Sequence, residues 1–335
     1  MNAPLPPQSS NTYHVQQNDM QSISALLSEK VSDPVKMAVL HYRIDQIIKQ
    51  NEAAGITTSV NITDQRTGRA IVSHNSSEAQ FAASINKLPI AWLLLQDLRD
   101  GKVHLSDTIT WQASDVRGGY GTYDQAGAPL SGTVEEVLHD MLNKSGNTAV
   151  RAIVNYELGG ATAVNNRLAA YPQLVETRLQ PLDATRFYLG NSTSAESLWI
   201  MQQLQKTHDS YEKIMQHDMA TNIFVSFGVR SQLEGNSYIE LANKVGILDD
   251  PDGNNRHDVG VIYNSKTGGS YAYSFMTTNF DSTSVATMQA EASLQQMGRD
   301  TLRTAGDKPA KSKGTAPQAQ ALKTQDALRN KKILY

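Results

Sequence analysis

The chain contains no cysteine in 335 residues. That excludes a disulfide framework and any thiolate zinc site. It also lacks an apolar run near the roughly 18 residues of a membrane-spanning helix, and its first residues, Met1-Asn2-Ala3-Pro4-Leu5-Pro6-Pro7, have neither the basic start nor the apolar core of a secretory leader. A surplus of one charge is missing too. Lys and Arg number 30 against 33 Asp and Glu, a formal charge of −3, which gives no reason to expect nucleic acid as a partner. Among motifs, there is no G-x-S-x-G elbow, no H-E-x-x-H and no G-x-x-x-x-G-K-[ST] phosphate loop. Asp249 to Asn254 lacks the ligand alternation and closing glutamate of a calcium loop and reads as a turn. His139 and His257 stand apart from any ligand spacing and read as structural or exposed. No metal or cofactor is expected.

With 39% hydrophobic residues, the chain can bury a sizeable core. Residues 1–33 are rich in Pro, Gln, Asn and Ser and read as a flexible lead-in. Met37, Leu40, Ile44, Ile47 and Ile48 recur at helical spacing through Val35 to Glu52. Alternation then predicts strands at Thr57 to Asp64 and Ala70 to His74, and again at Tyr238 to Ile247, His257 to Asn264 and Tyr271 to Thr278. Helices and loops are expected between, with an amphipathic helix over Val285 to Leu302 that packs with the first one. Strands at both ends and helices in the middle predict an α/β sandwich of the α+β class: an antiparallel sheet of about five strands covered by helices, plus a mainly helical lobe. Residues 34–303 would form this domain. Residues 304–335, with Lys308, Lys311, Lys313, Lys323, Lys331 and Lys332, read as a basic, solvated tail.

Chemistry enters at Ser84-Ile85-Asn86-Lys87. Residues three apart on a helix share a face, so a helix starting near Ser84 brings its hydroxyl within reach of the Lys87 amine. The apolar neighbours Leu88 and Ile90 to Leu95 disfavour an ammonium, and a neutral amine can take a proton from a serine. The same spacing recurs at Ser210-Tyr211-Glu212-Lys213, in a polar stretch that reads as a solvated helix face. Two elements further on separate the copies. Lys144-Ser145-Gly146-Asn147 follows a predicted helix over Thr133 to Leu142, and Asn243-Lys244-Val245-Gly246-Ile247 ends a predicted strand.

With these three elements in order, the chain resembles the penicillin-recognising serine hydrolases, most closely the class A β-lactamases, whose signatures are S-x-x-K, S-D-N and K-T-G. The resemblance spans roughly residues 35–303. It implies Ser84 as nucleophile, Lys87 as its base, Ser145 and Lys244 as a proton path to the leaving nitrogen, Asn147 on the substrate amide, Gly246 and Ile247 along the binding strand, and the N–H groups of Ser84 and Ile247 as oxyanion donors. Tyr120, in Gly118-Gly119-Tyr120-Gly121, would wall the cleft or pack within its loop. A literal Lys266-Thr267-Gly268 lies between two predicted strands and reads as a hairpin turn.

Departures matter as much. Gly146 stands where the family has an aspartate that helps to hold its loop, and Val245 stands where a hydroxyl would meet the substrate carboxylate. Matching Thr177-Arg178-Leu179 to the family's similar tripeptide puts Asp183 in place of the glutamate that activates the hydrolytic water. Its side chain is one methylene shorter, and Asp183 reads equally as a turn or cap residue. Three functions stay open: a hydrolase of β-lactams, a D,D-peptidase or transpeptidase acting on peptidoglycan peptides, and a non-catalytic penicillin-binding module. The resemblance implies a monomer outside the cytoplasm acting on a small molecule.

Overall fold

A computed structural model of the chain describes residues 33–180, 189–233, 237–249, 254–280 and 283–306. Helix α1 (Asp33–Ala53) leads into strands β1 (Thr57–Asp64) and β2 (Arg69–His74); β3 (Gln80–Phe81) and a tight turn over Ala83–Asn86 then open helix α2 (Lys87–Arg99). The middle holds β4 (Thr108–Thr110), β5 (Ser131–Thr133), α3 (Val134–Asn143), α4 (Asn147–Ala152), α5 (Ala161–Ala169), β6 (Arg178–Gln180), β7 (Leu189–Ser192), α6 (Ser194–Gln203) and α7 (Ser210–Ala220). Strands β8 (Ile239–Leu248), β9 (Asn254–Asn264) and β10 (Ser270–Phe280) precede helix α8 (Ser284–Thr304).

The main sheet runs β2-β1-β10-β9-β8, antiparallel throughout. Side chains alternate across a strand, so β10 serves two cores at once. Tyr271, Tyr273 and Phe275 join Leu40, Ile44, Ile47 and Ile48 of α1 and Leu294 and Met297 of α8 on one face. Ala272 and Met276 join α2, α3 and α6 of the helical lobe on the other. Each fully buried side chain of this size contributes roughly 1.5–3 kcal/mol. Helices α1 and α8 lie antiparallel, tied by an Arg43–Asp300 ion pair at 3.2 Å and by Gln289 Nε2 donating to the Gln50 carbonyl at 3.1 Å.

The helices begin where side chains satisfy unpaired N–H groups. Thr133 and Glu136 form a reciprocal cap on α3, and Thr193, Asp209 and Thr283 cap α6, α7 and α8. The middle of the chain differs from expectation in holding short strands, β3-β7-β6 in one sheet and β4-β5 in another. They are too short for alternation to show. Strand β9 also begins three residues before the predicted His257. Its polar start is buried because Thr278 Oγ1 donates to Asn255 Oδ1 at 2.6 Å and Arg256 pairs with Glu291 of α8 at 3.0 Å. Among the described residues no helix is long and apolar enough to cross a membrane.

Candidate active site

The turn that carries Ser84 is held from two sides. The Ala82 N–H donates to Gly190 O of β7 at 2.7 Å, and the buried His257 of β9 lies with Nε2 2.8 Å from Phe81 O. Ala83 adopts φ 45°, a left-handed value uncommon for a residue with a side chain. Helix α2 begins at Lys87, not at Ser84, but the intervening 3₁₀ turn has the same effect: Lys87 Nζ lies 2.9 Å from Ser84 Oγ. Pro89 sits in the first turn of α2, where its missing N–H costs little. Ser84 is half-buried and reachable, whereas Lys87 is enclosed.

From the opposite wall comes the segment between α3 and α4. Ser145 takes φ 59°, and its carbonyl and hydroxyl oxygens lie 2.8 and 2.9 Å from Lys87 Nζ; Asn147 Oδ1 lies at 3.1 Å. Asn147 Nδ2 donates to Gly118 O at 2.8 Å. Strand β8, at the edge of the sheet, supplies Lys244, whose Nζ lies 3.0 Å from Ser145 Oγ and donates to Val245 O at 2.9 Å. Ser145 Oγ thus bridges two amines, and Ser84, Lys87, Ser145 and Lys244 form one unbroken hydrogen-bonded line.

Burial controls the charge on this line. Desolvation lowers Lys87 from 10.5 to about 8, against the opposing pull of Asp124 and Asp140. Lys244 is lowered well below 10.5 by burial first and by the neighbouring Lys87 second, with Asp258 acting in the other direction. His257 falls to about 4 through burial, so it is a neutral prop for the Phe81 carbonyl near neutral pH. Behind Lys244, Asn243 Nδ2 donates to Asp258 Oδ1 at 2.9 Å while Asn243 Oδ1 accepts from Arg230 and Asn222. Burial raises Asp258 to about 6. Gly246 fits closely: a Cβ would lie 3.2 Å from Ala82 O, His257 Cδ2 and Ile85 Cγ2, so these neighbours in and beside the Ser84 turn would have to give by a few tenths of an ångström.

The family model for the β-lactamase enzyme family matches residues 40–305. The chain belongs to that family. No curated protein matches it. Among solved structures it is similar to an ancestral class A β-lactamase (GNCA), at 19% identity over 78% of this chain and 98% of that one, with a TM-score of 0.65. A β-lactamase from Sphaerobacter thermophilus aligns at 20% identity over 79% and 97%, with a TM-score of 0.67. The penicillin-binding protein PBP-A, in an acyl-enzyme complex with penicillin G, aligns at 18% over 79% and 95%, with a TM-score of 0.66.

In this β-lactamase-family chain, Ser84, Lys87, Ser145, Asn147 and Lys244 converge from three distant segments, and Gly246 and Ile247 follow Lys244 along β8. Tyr120 reaches the same cleft. It stacks edge-on against Phe224 at 5.5 Å, and Lys244 Nζ lies 5.7 Å from the Phe224 ring. Asp183 lies outside the described residues. Lys266-Thr267-Gly268 is the expected turn, with the Lys266 and Thr267 N–H groups donating to Asn264 Oδ1. The second serine–lysine copy is on α7 with Ser210 and Lys213 exposed; its Glu212, by contrast, is buried and paired with Arg99. His139 pairs with Asp218 at 2.7 Å, and no metal-binding cluster occurs among the described residues.

Three groups at the site escaped sequence reasoning. Phe224 lies in an irregular apolar stretch without periodicity, and Asp124 and Asp140 look like surface acids. Asp124 accepts from Asn147 N at 3.1 Å, Thr148 N at 2.8 Å and Gly121 N at 2.9 Å, and Asp140 Oδ1 accepts from Thr122 N at 2.6 Å.

Proposed function

We propose that this chain is a serine hydrolase that β-lactam amides acylate at Ser84. The observation that carries the reading is the 2.9 Å approach of a buried, easily deprotonated Lys87 to a reachable Ser84 hydroxyl. Neutral Lys87 accepts the Ser84 proton as the oxygen attacks the lactam carbonyl. The developing oxyanion is held by the N–H groups of Ser84 and Ile247, each such donor contributing about 3–4 kcal/mol. Lys87 passes the proton to Ser145 Oγ as the Ser145 hydroxyl gives its own to the lactam nitrogen, and the C–N bond breaks. Lys244, kept beside Ser145 Oγ, steadies that hydroxyl during the transfer. Asn147 would turn its amide to the substrate.

Release of the acyl group falls to Asp183 on this reading. A carboxylate drawn back by about 1 Å can slow a step on the order of a hundredfold. That shorter side chain favours a second reading, a D,D-peptidase-like enzyme that peptidoglycan peptides acylate and that keeps a penicillin adduct. Intact-mass measurement after brief and long exposure to penicillin G separates them. A transient adduct on the unchanged protein and none on Ser84→Ala fits the hydrolase, and a lasting adduct together with D-alanine release from a model peptide fits the second. No adduct at any time, with the penicillin left intact, overturns both.

A further inference from the structure

Two buried carboxylates beside the site have no part in that reaction. Asp140 of α3 and Asp124 of the preceding loop are almost fully enclosed. Their space exists because three residues lack side chains. A Cβ on Gly119 would lie 2.4 Å from Asp124 Oδ2, one on Gly121 would lie 2.4 Å from Asp140 Oδ2 and 2.9 Å from Asp124 Oδ2, and one on Gly146 would lie 2.2 Å from Asp140 Oδ2. None of the three has left-handed backbone, so room and not conformation is what demands glycine here.

These acids grip the segment that surrounds Lys87. Asp124 satisfies the first N–H groups of α4, at Asn147 and Thr148. The Asp140 carbonyl accepts from Gly146 N at 2.9 Å while its carboxylate fills the space beside Gly146 and ties down Thr122 N. Between the two grips sits Ser145 in its left-handed conformation, carrying two of the oxygens around Lys87 Nζ, with Asn147 carrying a third. Asp140 Oδ2 has no hydrogen-bond partner among the described residues. Such an orphan survives only where neighbouring structure over-determines it.

We propose that Asp124 and Asp140, seated in the room left by Gly119, Gly121 and Gly146, are positioning residues that hold Ser145 and Asn147 against Lys87. Asp140 supplies from the helix the bracing carboxylate that position 146 lacks. The inference rests on the reading of Ser84 and Lys87 as the acylating pair. It makes residues 140 and 146 a matched pair, in which one of the two positions carries the carboxylate and the other must be small.

The test is a cycle of Asp140→Ala, Gly146→Asp and the double variant, read by melting temperature and by the rate of labelling with a fluorescent penicillin. Each single change is expected to slow labelling by about a hundredfold. The double variant should recover to within about tenfold of the unchanged protein, a strong departure from additivity. A double variant no faster than the slower single overturns the proposal. Asp140→Asn, close to isosteric, gives a second readout through the NMR titration of carbon-13-labelled lysine. The charged groups that act on Lys87 are Asp124, Asp140 and, from β8, Lys244. Losing one negative neighbour should move the Lys87 midpoint down, and an unmoved midpoint also overturns the proposal. If penicillin never labels the unchanged protein, the acylation reading falls alone. The melting temperatures of the cycle then decide: each single variant should melt lower and the double variant should regain most of the loss, whereas a double variant no more stable than the weaker single overturns the proposal.

Discussion

Replacing Lys87 by methionine keeps most of the buried stem and removes the amine, so it isolates the cost of holding that amine away from water. In the folded chain the amine titrates near 8 and in the unfolded chain near 10.5. At about 1.4 kcal/mol per unit, the unchanged protein carries a penalty of about 3 kcal/mol at pH 7. The sign follows from proton counts. Between pH 8 and 10.5 the unfolded chain binds more protons at this residue than the folded one, so stability rises with pH across that window and the penalty fades. The methionine side chain of the variant would carry no such slope. The acceptors abandoned at Ser145 and Asn147 cost about 1–3 kcal/mol, but that cost does not depend on pH. Urea unfolding of both proteins at pH 7 and pH 10 is the assay. Relative to the unchanged protein, the variant should lose about 2–3 kcal/mol on going from the lower pH to the higher. Parallel pH curves would refute the claim that Lys87 is a depressed, buried base.

The same titration should appear in the chemistry: labelling of Ser84 by penicillin is expected to rise about tenfold from pH 7 to pH 9 and level off above, since the base form grows through a midpoint near 8. A flat profile from stopped-flow or gel-based labelling counts against Lys87 as the base. Gly190→Ala should weaken the site from a distance, because its Cβ would lie 1.9 Å from the Arg178 carbonyl and the neighbouring Gly190 O holds the Ala82 N–H. Overpacking of this kind costs about 1–3 kcal/mol, visible in the melting temperature, and an unchanged melting temperature would show that β6 and β7 yield freely.

Much of this architecture was legible because its parts are long and one-sided. Helix α1 shows its stripe through Leu40, Ile44, Ile47 and Ile48, and β1 shows its alternation through Val60 and Ile62. The serine–lysine pair could be read because three residues of spacing suffice to bring the side chains together, whether the turn is α-helical or 3₁₀. Ser145 and Lys244, by contrast, were placed by resemblance to a family, since nothing local says that residues 99 apart touch. Asp124 and Asp140 were out of reach for another reason. Acids are ordinarily exposed, and only the three-dimensional coincidence with Gly119, Gly121 and Gly146 reveals them as enclosed. Buried polar residues at the start of β9, Asn254, Asn255 and Arg256, misled in the same way by making a strand start look like a turn.

The antiparallel seating of α1 against α8 has a consequence for how the chain could be rewired. Arg43 meets Asp300 and Gln50 meets Gln289, so the start of the first helix and the finish of the last share one pole of the molecule. A short linker from Gly306 to Asp33, in place of residues 1–32 and 307–335, would close the backbone into a ring, and the ring could be reopened in the Lys266–Gly269 turn, where Gly268 has no atom within 4 Å of a would-be Cβ. Circular permutants cut at that turn would keep every segment that meets at Ser84 on uninterrupted backbone and in the same order, while β10 and α8 would leave the ribosome first instead of last.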